Sequence, residues 1–412
     1  MHGVPRRDLI TGVAAALIVG SLCPSGFAAT RGASAEDDSP LQVTALNAGS
    51  AVLQWTTSPG AARIQILRNG RLLDDVATSG GSTLSYTDYL LWQSSTYTYD
   101  VIAFNPEGEV ESDQTASVTT PAQAGALPTL YDPASFWNQP IPPTAAIDPD
   151  SAAMVSASLA AYAGSANFAT SNQWSKPLAY ANPLSTTYPV GCTTYDCQTP
   201  VSFAIPRYAA PATGSDHHLV VLDPATSNEL DMWQASYNAG ADSWSAGSRY
   251  VTASNGWGAQ CSSGQHCLGA VAAGFAAFGG VVRPEEIAQG HIDHALFFAD
   301  PNTRAGDIAC PATHTDGWAS DPAAIPEGAR IQLDPGVDVD GQAWPTWEKV
   351  IAHALQTYGA YLGDSGGSVA FSAEPNLDRG YDAWSLAGIT GPDPSLADLP
   401  WSSFRVLQLQ LC

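Results

Sequence analysis

Six of the eight histidines fall between positions 217 and 314, and five of them, His217, His218, His291, His294 and His314, stand with Asp216, Asp231, Asp293 and Asp316. Only 13% of the chain is charged, so this concentration of imidazoles and carboxyls stands out as potential chemistry. Two carboxyl groups a few ångströms apart can cleave a glycosidic bond, one protonating the leaving oxygen while the other serves as base or nucleophile. An imidazole can instead take the proton beside a uronate carboxyl, as an eliminating enzyme requires. No glycine loop with a lysine to cradle phosphate is present, and a serine nucleophile is set aside in favour of His and carboxylates.

The elements that must position these groups are β-strands. The apolar run Leu219 to Leu222 ends at Asp223-Pro224, a turn signal, and Glu229 to Gln234 reads as its hairpin partner. Strand parity puts Asp216, His218 and Val220 on one face, and Glu229, Asp231 and Trp233 on one face of the return strand. A hairpin then sets His218 beside Asp231 and Trp233. A third strand is expected from His291 to Ala299, with His294 on one face and His291 and Asp293 on the other.

Between these strands, Leu268 to Val282 is apolar but broken by Gly269, Gly274, Gly279 and Gly280, which predicts close-packed strands or backbone approaching a ligand. Arg283-Pro284-Glu285-Glu286 opens a short helix closed by Gly290, its carboxylates placed to suit the helix start. One longer helix is predicted from Thr346 as cap, with Trp347, Ile351, Ala354, Leu355, Tyr358 and Leu362 along its buried face and His353 beside them. The proline-rich stretch Tyr131 to Pro142 reads as an extended arm wrapping a β-domain.

Upstream, Val52, Leu53 and Trp55 alternate as a strand, Ile64, Ile66 and Leu67 run into an Asn69-Gly70 hairpin turn, and Tyr97, Tyr99, Val101 and Ala103 mark another strand. On Trp55, Arg68-Asn69-Gly70 and Tyr97-Thr98-Tyr99, residues 39–122 resemble a fibronectin type III module, which implies a small β-sandwich without chemistry of its own, a spacer or anchor. Deleting it is expected to spare turnover of small soluble substrates. Residues 1–35, with Arg6-Arg7 before an apolar stretch from Val13 to Leu22, resemble a twin-arginine export signal, and an ordinary secretory signal is the alternative. A linker at 123–128 then leads to a larger domain, residues 129–412. The fold class expected is mostly β: the sandwich followed by a jelly-roll-like β-domain with one amphipathic helix.

Six cysteines remain once Cys23 leaves with the signal, and all lie beyond the module. The pairing proposed is Cys192 with Cys197, Cys261 with Cys267, and Cys310 with Cys412, one of many connectivities that six cysteines allow. No Cys-x-x-Cys spacing supports zinc, and export favours disulfides. With 15 basic and 39 acidic residues, a formal charge of −24, the surface suits neither nucleic acid nor anionic membrane. Neutral extracellular polysaccharide is the partner expected, and a monomer the expected state.

The larger domain resembles a family of secreted bacterial proteins of unassigned activity. The match rests on Asp216-His217-His218-Leu219-Val220-Val221, Asp231-Met232-Trp233-Gln234-Ala235, Gly290-His291-Ile292-Asp293-His294-Ala295-Leu296, Asp316-Gly317 and Pro326-Glu327-Gly328-Ala329-Arg330. The resemblance points to His218, Asp231, His294 and Asp316; His217 stands where the family pattern has a small residue. Three functions stay open. A secreted glycoside hydrolase is favoured, with Asp231 and Asp316 as the pair and Asp216 or Asp293 as substitutes. A polysaccharide lyase would use His218 and His294, and a non-catalytic glycan-binding protein would use Trp233 and Trp257 for stacking. No cofactor is required by these readings, and a structural divalent metal is compatible with the mixed His and Asp strands.

Overall fold

A computed structural model describes residues 40–412 apart from 196, 198–199 and 260–268. The export signal and the Cys261/Cys267 pair therefore lie outside the described residues. The chain is mostly β, 36% strand and 11% helix. Among the described residues no helix is long and apolar enough to cross a membrane.

Seven strands build the N-terminal sandwich: β1 Gln42–Asn47, β2 Ser50–Thr56, β3 Arg63–Arg68, β4 Arg71–Ala77, β5 Thr83–Asp88, β6 Thr96–Phe104 and β7 Val110–Thr119. They form a three-stranded sheet, β1-β2-β5, and a four-stranded one, β4-β3-β6-β7. The alternation legible in the sequence fills the space between them, with Leu53, Trp55, Ile64, Ile66, Tyr99 and Val101 buried in one core. The β3–β4 turn falls at Asn69-Gly70, both with positive φ, as a two-residue hairpin loop requires.

The sandwich is not held at a distance from the larger domain. Asp74 and Arg68 are buried; Asp74 accepts a hydrogen bond from Ser185 Oγ at 2.5 Å, and Arg68 donates to the Arg379 carbonyl. Arg71 donates to the carbonyls of Asp378 and Leu377, and the Tyr381 hydroxyl to that of Leu90. Leu184, Tyr208 and Tyr381 of the larger domain pack on the sandwich core. The expected spacer is thus a docked module, because β3 and β4 carry polar side chains that complete buried hydrogen bonds across the junction.

In the larger domain, two four-stranded sheets pack face to face. One runs Ser248–Ala253, Asn228–Trp233, Leu219–Asp223, Leu178–Tyr180, and the other Val201–Ala204, Thr187–Cys192, Ser243–Ala246, Ser236–Asn238. Ala179, Leu219, Val221, Leu230 and Met232 meet Tyr188, Val190, Phe203 and Trp244 between them. The first sheet turns its other face, with Leu178, Val220 and Leu222, toward Phe297 and Tyr361 of a six-stranded mixed sheet. Behind that sheet lies the largest core, closed by the helix Thr346–Thr357. This is the one amphipathic helix expected, and among the described residues no other α-helix exceeds the six residues of Pro284–Gln289.

Several boundaries differ from the sequence reading. Pro345, not Thr346, occupies the N-cap, and Leu362 belongs to the strand Ala360–Ser365. Gly359, at φ 67°, ends the helical path, and a Cβ there would meet the Ile331 carbonyl at 2.2 Å. The third strand begins only at Leu296, since residues 291–295 leave the helix Pro284–Gln289 as irregular backbone. The glycine-rich stretch forms turns rather than strands, and its backbone approaches an indole. A Cβ on Gly279 would lie 2.6 Å from the buried Trp137 ring. That tryptophan belongs to the predicted arm, which binds through Tyr131 N to the Ser254 carbonyl and Trp137 Nε1 to that of Gly258.

Two of the proposed disulfides are described, Cys192–Cys197 and Cys310–Cys412, with Cα separations of 6.1 and 5.6 Å.

Candidate functional site

The hairpin register places Val220 opposite Asp231 and Leu222 opposite Glu229, so the face carrying Glu229, Asp231 and Trp233 is the face that His218 joins. The strand Leu178–Tyr180 pairs in parallel with Leu178 opposite Val220, which brings Lys176 to the same edge. Apolar neighbours bury this polar row beneath the six-stranded sheet: Lys176 Nζ lies 3.3 Å from the Phe297 ring centroid. Among the described residues no hydrogen-bond partner reaches that ammonium.

The six-stranded sheet, the two-stranded sheet of Thr303–Ile308 with Ile325–Glu327, and the segment between those two strands each supply one carboxyl more. Asp364 sits just past a bulge in the pairing of Leu296–Asp300 with Ala360–Ser365, where Gly363 faces Phe297 so closely that a Cβ would lie 2.1 Å from the ring. Glu327 ends the strand Ile325–Glu327, held by the bond from Ala309 N to its carbonyl and by Gly328 N to Leu362 O. Gly328 is at φ 86°, and a Cβ there would strike the Ala309 carbonyl. Asp316 reaches the same place from an exposed turn that Thr313 N ties to Ala273 O. Oxygens of Asp316, Glu327 and Asp364 all lie within 4.8 Å of one another. Such a trio could hold a hard divalent cation or share protons.

The electrostatics follow from crowding like charges in a dry site. Burial, then the charge of Asp316, pushes the Asp364 carboxyl up to about 8, with Lys176 opposing. Glu327 is held well above the usual carboxylate range by burial and then by Asp364 and Asp316; the Thr315 hydroxyl tempers this from outside hydrogen-bonding geometry. Lys176 is brought down to about 8 by burial, against the attraction of Asp364, Asp231, Glu229 and Asp216. His218, buried beside Lys176, falls to about 3 and is a neutral imidazole.

The structure brings together four of the expected residues, Asp216, His218, Asp231 and Asp316, with different access. Asp316 is exposed and Asp216 half-buried, whereas Asp231 is 0% exposed and accepts a hydrogen bond from Ala277 N at 3.0 Å. Its neighbour Glu229 accepts from Tyr131 Oη and Phe278 N. These two carboxylates pin the glycine-rich turns and the arm beneath the site.

His294 and Asp293 have other charged neighbours. His294 Nε2 pairs with Glu286 at 3.1 Å, and Glu286 also holds Arg283. Asp293 forms an exposed ion pair with His291. Trp233 is half-buried against Tyr195, and Trp257 is exposed with its edge against Phe136.

Sequence reasoning missed Lys176, Glu327 and Asp364. Lys176 could have been flagged as one of the two lysines of the chain, and Glu327 lies inside a stretch already compared with the secreted family. Asp364 stands in Gly363-Asp364-Ser365-Gly366-Gly367, a Gly-x-Ser-x-Gly spacing that the sequence reading overlooked. A nucleophile elbow needs a strand-to-helix turn, and here the strand Ala360–Ser365 is followed by another strand, Ala370–Ser372. Two exposed tryptophans also flank the site in the chain, Trp174 before Lys176 and Trp318 after Asp316.

No family model and no curated protein matches the chain. Parts of it are similar to solved structures. A family 28 exopolygalacturonase of Yersinia enterocolitica shares 17% identity over 21% of each chain, at a TM-score of 0.18. The fibronectin(III)-like modules of Clostridium thermocellum CbhA share 13% identity over 20% of this chain and 88% of theirs, at 0.17. A human fibronectin type III domain shares 23% over 24% of this chain and 97% of its own, at 0.18. The chain thus spans about a fifth of the exopolygalacturonase and nearly all of the isolated modules; the fibronectin-like similarity concerns only a small part of this protein.

Proposed function

We propose that this protein is a secreted carbohydrate-active enzyme that hydrolyses glycosyl bonds of an extracellular polysaccharide at the cluster of Asp316, Asp364 and Glu327. The observation that carries this reading is the approach of three carboxyl groups to within 4.8 Å, graded from exposed to fully buried. Paired carboxyls at short range, about 5–5.5 Å, serve retaining glycosidases, whereas inverting enzymes leave about 6.5–9.5 Å for a water. Asp316, open to solvent, is the nucleophile in this reading, and Asp364, half-buried, is the acid that protonates the leaving oxygen. Glu327 and Lys176 lie behind them as positioning residues that set the charge of the pair. Trp174 and Trp318, 52% and 66% exposed and close in the chain to Lys176 and Asp316, offer flat faces for sugar rings. Asp231 keeps a place in the site as the anchor of Ala277.

The lyase alternative draws on one observation, the amine of Lys176 buried among carboxylates, a group that could take a proton from carbon. A panel of neutral and uronate polysaccharides, followed for new reducing ends and for the ultraviolet absorbance of unsaturated uronate, separates the readings. Reducing ends without absorbance are expected. Absorbance would move the assignment to elimination, and neither signal, with binding retained, would overturn catalysis.

A further inference from the structure

The junction between the sandwich and the larger domain encloses a cleft of about 330 Å³, a volume at the lower end of the range that small-molecule sites occupy. Its sandwich side is formed by the β1–β2 turn and the segment after β5, from Tyr89 to Gln93; the linker closes a second side, with Ala126 at its surface. Tyr180, Arg283, Glu285, Glu374 and Arg379 of the larger domain complete it.

The chemistry of this lining is specific. Tyr89 and Tyr180, one from each domain, stack with centroids 4.7 Å apart and both remain half-buried, so a ring edge or face is left to the cleft. Arg379 is held between Glu374, at 2.8 and 2.9 Å, and Glu285, at 3.0 Å. Arg283 is held by Glu286 at 2.9 Å and donates to the Pro128 carbonyl of the linker. Each guanidinium here is paired with carboxylates, Arg379 and Glu374 almost wholly buried and Arg283 and Glu285 partly exposed, so the cleft offers a few polar edges and no unpaired cation. An anionic ligand would meet a surplus of carboxylates, and a purely apolar one would strand polar groups. A ligand with alternating apolar faces and hydroxyls satisfies both demands.

We propose that this cleft is a second glycan-binding site, taking a short neutral oligosaccharide between Tyr89, Tyr180 and the linker. It rests on the carbohydrate part of the function proposed above but not on hydrolysis. The sandwich then contributes one wall of a binding site and does not merely tether the larger domain.

The test uses the full mature chain carrying Asp364→Asn, so that ligands persist, and calorimetric titration with hexasaccharides of glucose, xylose and mannose and with a galacturonate hexamer. Binding of at least one neutral hexasaccharide, with no binding of the galacturonate, is expected. Ala126→Trp, which fills the cleft from an exposed linker position, and Tyr89→Ala should each weaken it about tenfold. Ala126→Trp changes no residue of either core, and circular dichroism checks both folds. No binding of any neutral hexasaccharide, binding of the galacturonate alone, or affinity indifferent to both substitutions overturns the proposal. Cleft binding without turnover by the unsubstituted chain would instead overturn the hydrolase reading and leave this one standing.

Discussion

The junction between the two domains and the carboxyl cluster bury comparable charge and treat it in opposite ways. At the junction, Arg68 Nη1 donates to both carboxyl oxygens of Asp88 at 2.9 Å, and Arg379 is shared by two glutamates. In the cluster, among the described residues, no hydrogen bond of good geometry reaches Lys176 Nζ or either carboxyl oxygen of Glu327, whose polar neighbours are Asp316 and Thr315. Satisfied charges hold a fold in one arrangement, whereas a buried charge left without partners costs stability and is kept where chemistry needs it.

The largest expected effect attacks the functional side. Asp364→Asn should lower kcat by about 10²–10⁴, the usual worth of a general acid, and Glu327→Gln should act in the same direction. Neither should destabilise the protein, and the melting temperature should hold or rise, because each substitution relieves a crowded buried carboxyl. A variant that loses activity and stability together would place the cluster with the structural charges. Chelation sharpens the same point: EDTA should leave hydrolysis unchanged, and loss that calcium restores would recast Asp316, Glu327 and Asp364 as cation ligands.

The mirror experiment breaks the structural side. Arg68→Met strips a buried carboxylate, Asp88, of its cation and leaves it only the Tyr99 hydroxyl, which should cost about 3–5 kcal/mol in unfolding free energy. Removal of residues 39–122, which the sequence presents as harmless, should now lower the stability of the larger domain by uncovering Leu184, Tyr208 and Tyr381. Urea denaturation of the variant and of the truncated chain reads both effects. Unchanged midpoints would mean that the junction adds nothing to the fold.

How much of this was legible follows the range of each signal. Period-two alternation marked the sandwich and the Leu219–Asp223 hairpin, and the hairpin register put His218 and Asp231 on one face because two-residue parity is a local property. The contribution of Glu327 and Asp364 was hidden, since it depends on a bulge beside Phe298 and on Gly328 and Gly363, whose need for a missing Cβ arises from distant backbone. His294 misled for the complementary reason. Its spacing in His291-Ile292-Asp293-His294 reads as a strand, but the helix Pro284–Gln289 ends at Gly290 in the left-handed region and hands the chain to an irregular turn against Glu286.

Asp74 cuts across the comparison, for it is a junction residue with a strained charge. Burial pushes its carboxyl up to about 6 from 3.8, against the hydrogen bonds of Ser185 and Asp75 N. The folded protein therefore binds this proton more tightly than the unfolded chain. Its contribution to stability is full below the unfolded value and is lost as pH rises through the folded one, a decline of up to about 3 kcal/mol between pH 4 and 7. Asp74→Asn should flatten that part of the slope in urea titrations at the two pH values. An unaltered slope would remove Asp74 from the list of strained groups.

The smallest expected effect tests whether the cluster faces sugar at all. Trp318 is two-thirds exposed, two residues beyond Asp316, and among the described residues it belongs to none of the hydrophobic cores. If its ring stacks on substrate, Trp318→Ala removes an aromatic contact worth about 0.5–1.5 kcal/mol, which raises KM by up to about tenfold and leaves kcat within about twofold. A structural tryptophan would move the melting temperature instead, and Trp384, buried with its Nε1 on the Glu374 carbonyl, is the internal control for that outcome. Loss of kcat in Trp318→Ala with KM unchanged would mean that this ring orders the Asp316 turn rather than the glycan, and the aromatic flank of the site would then reduce to Trp174.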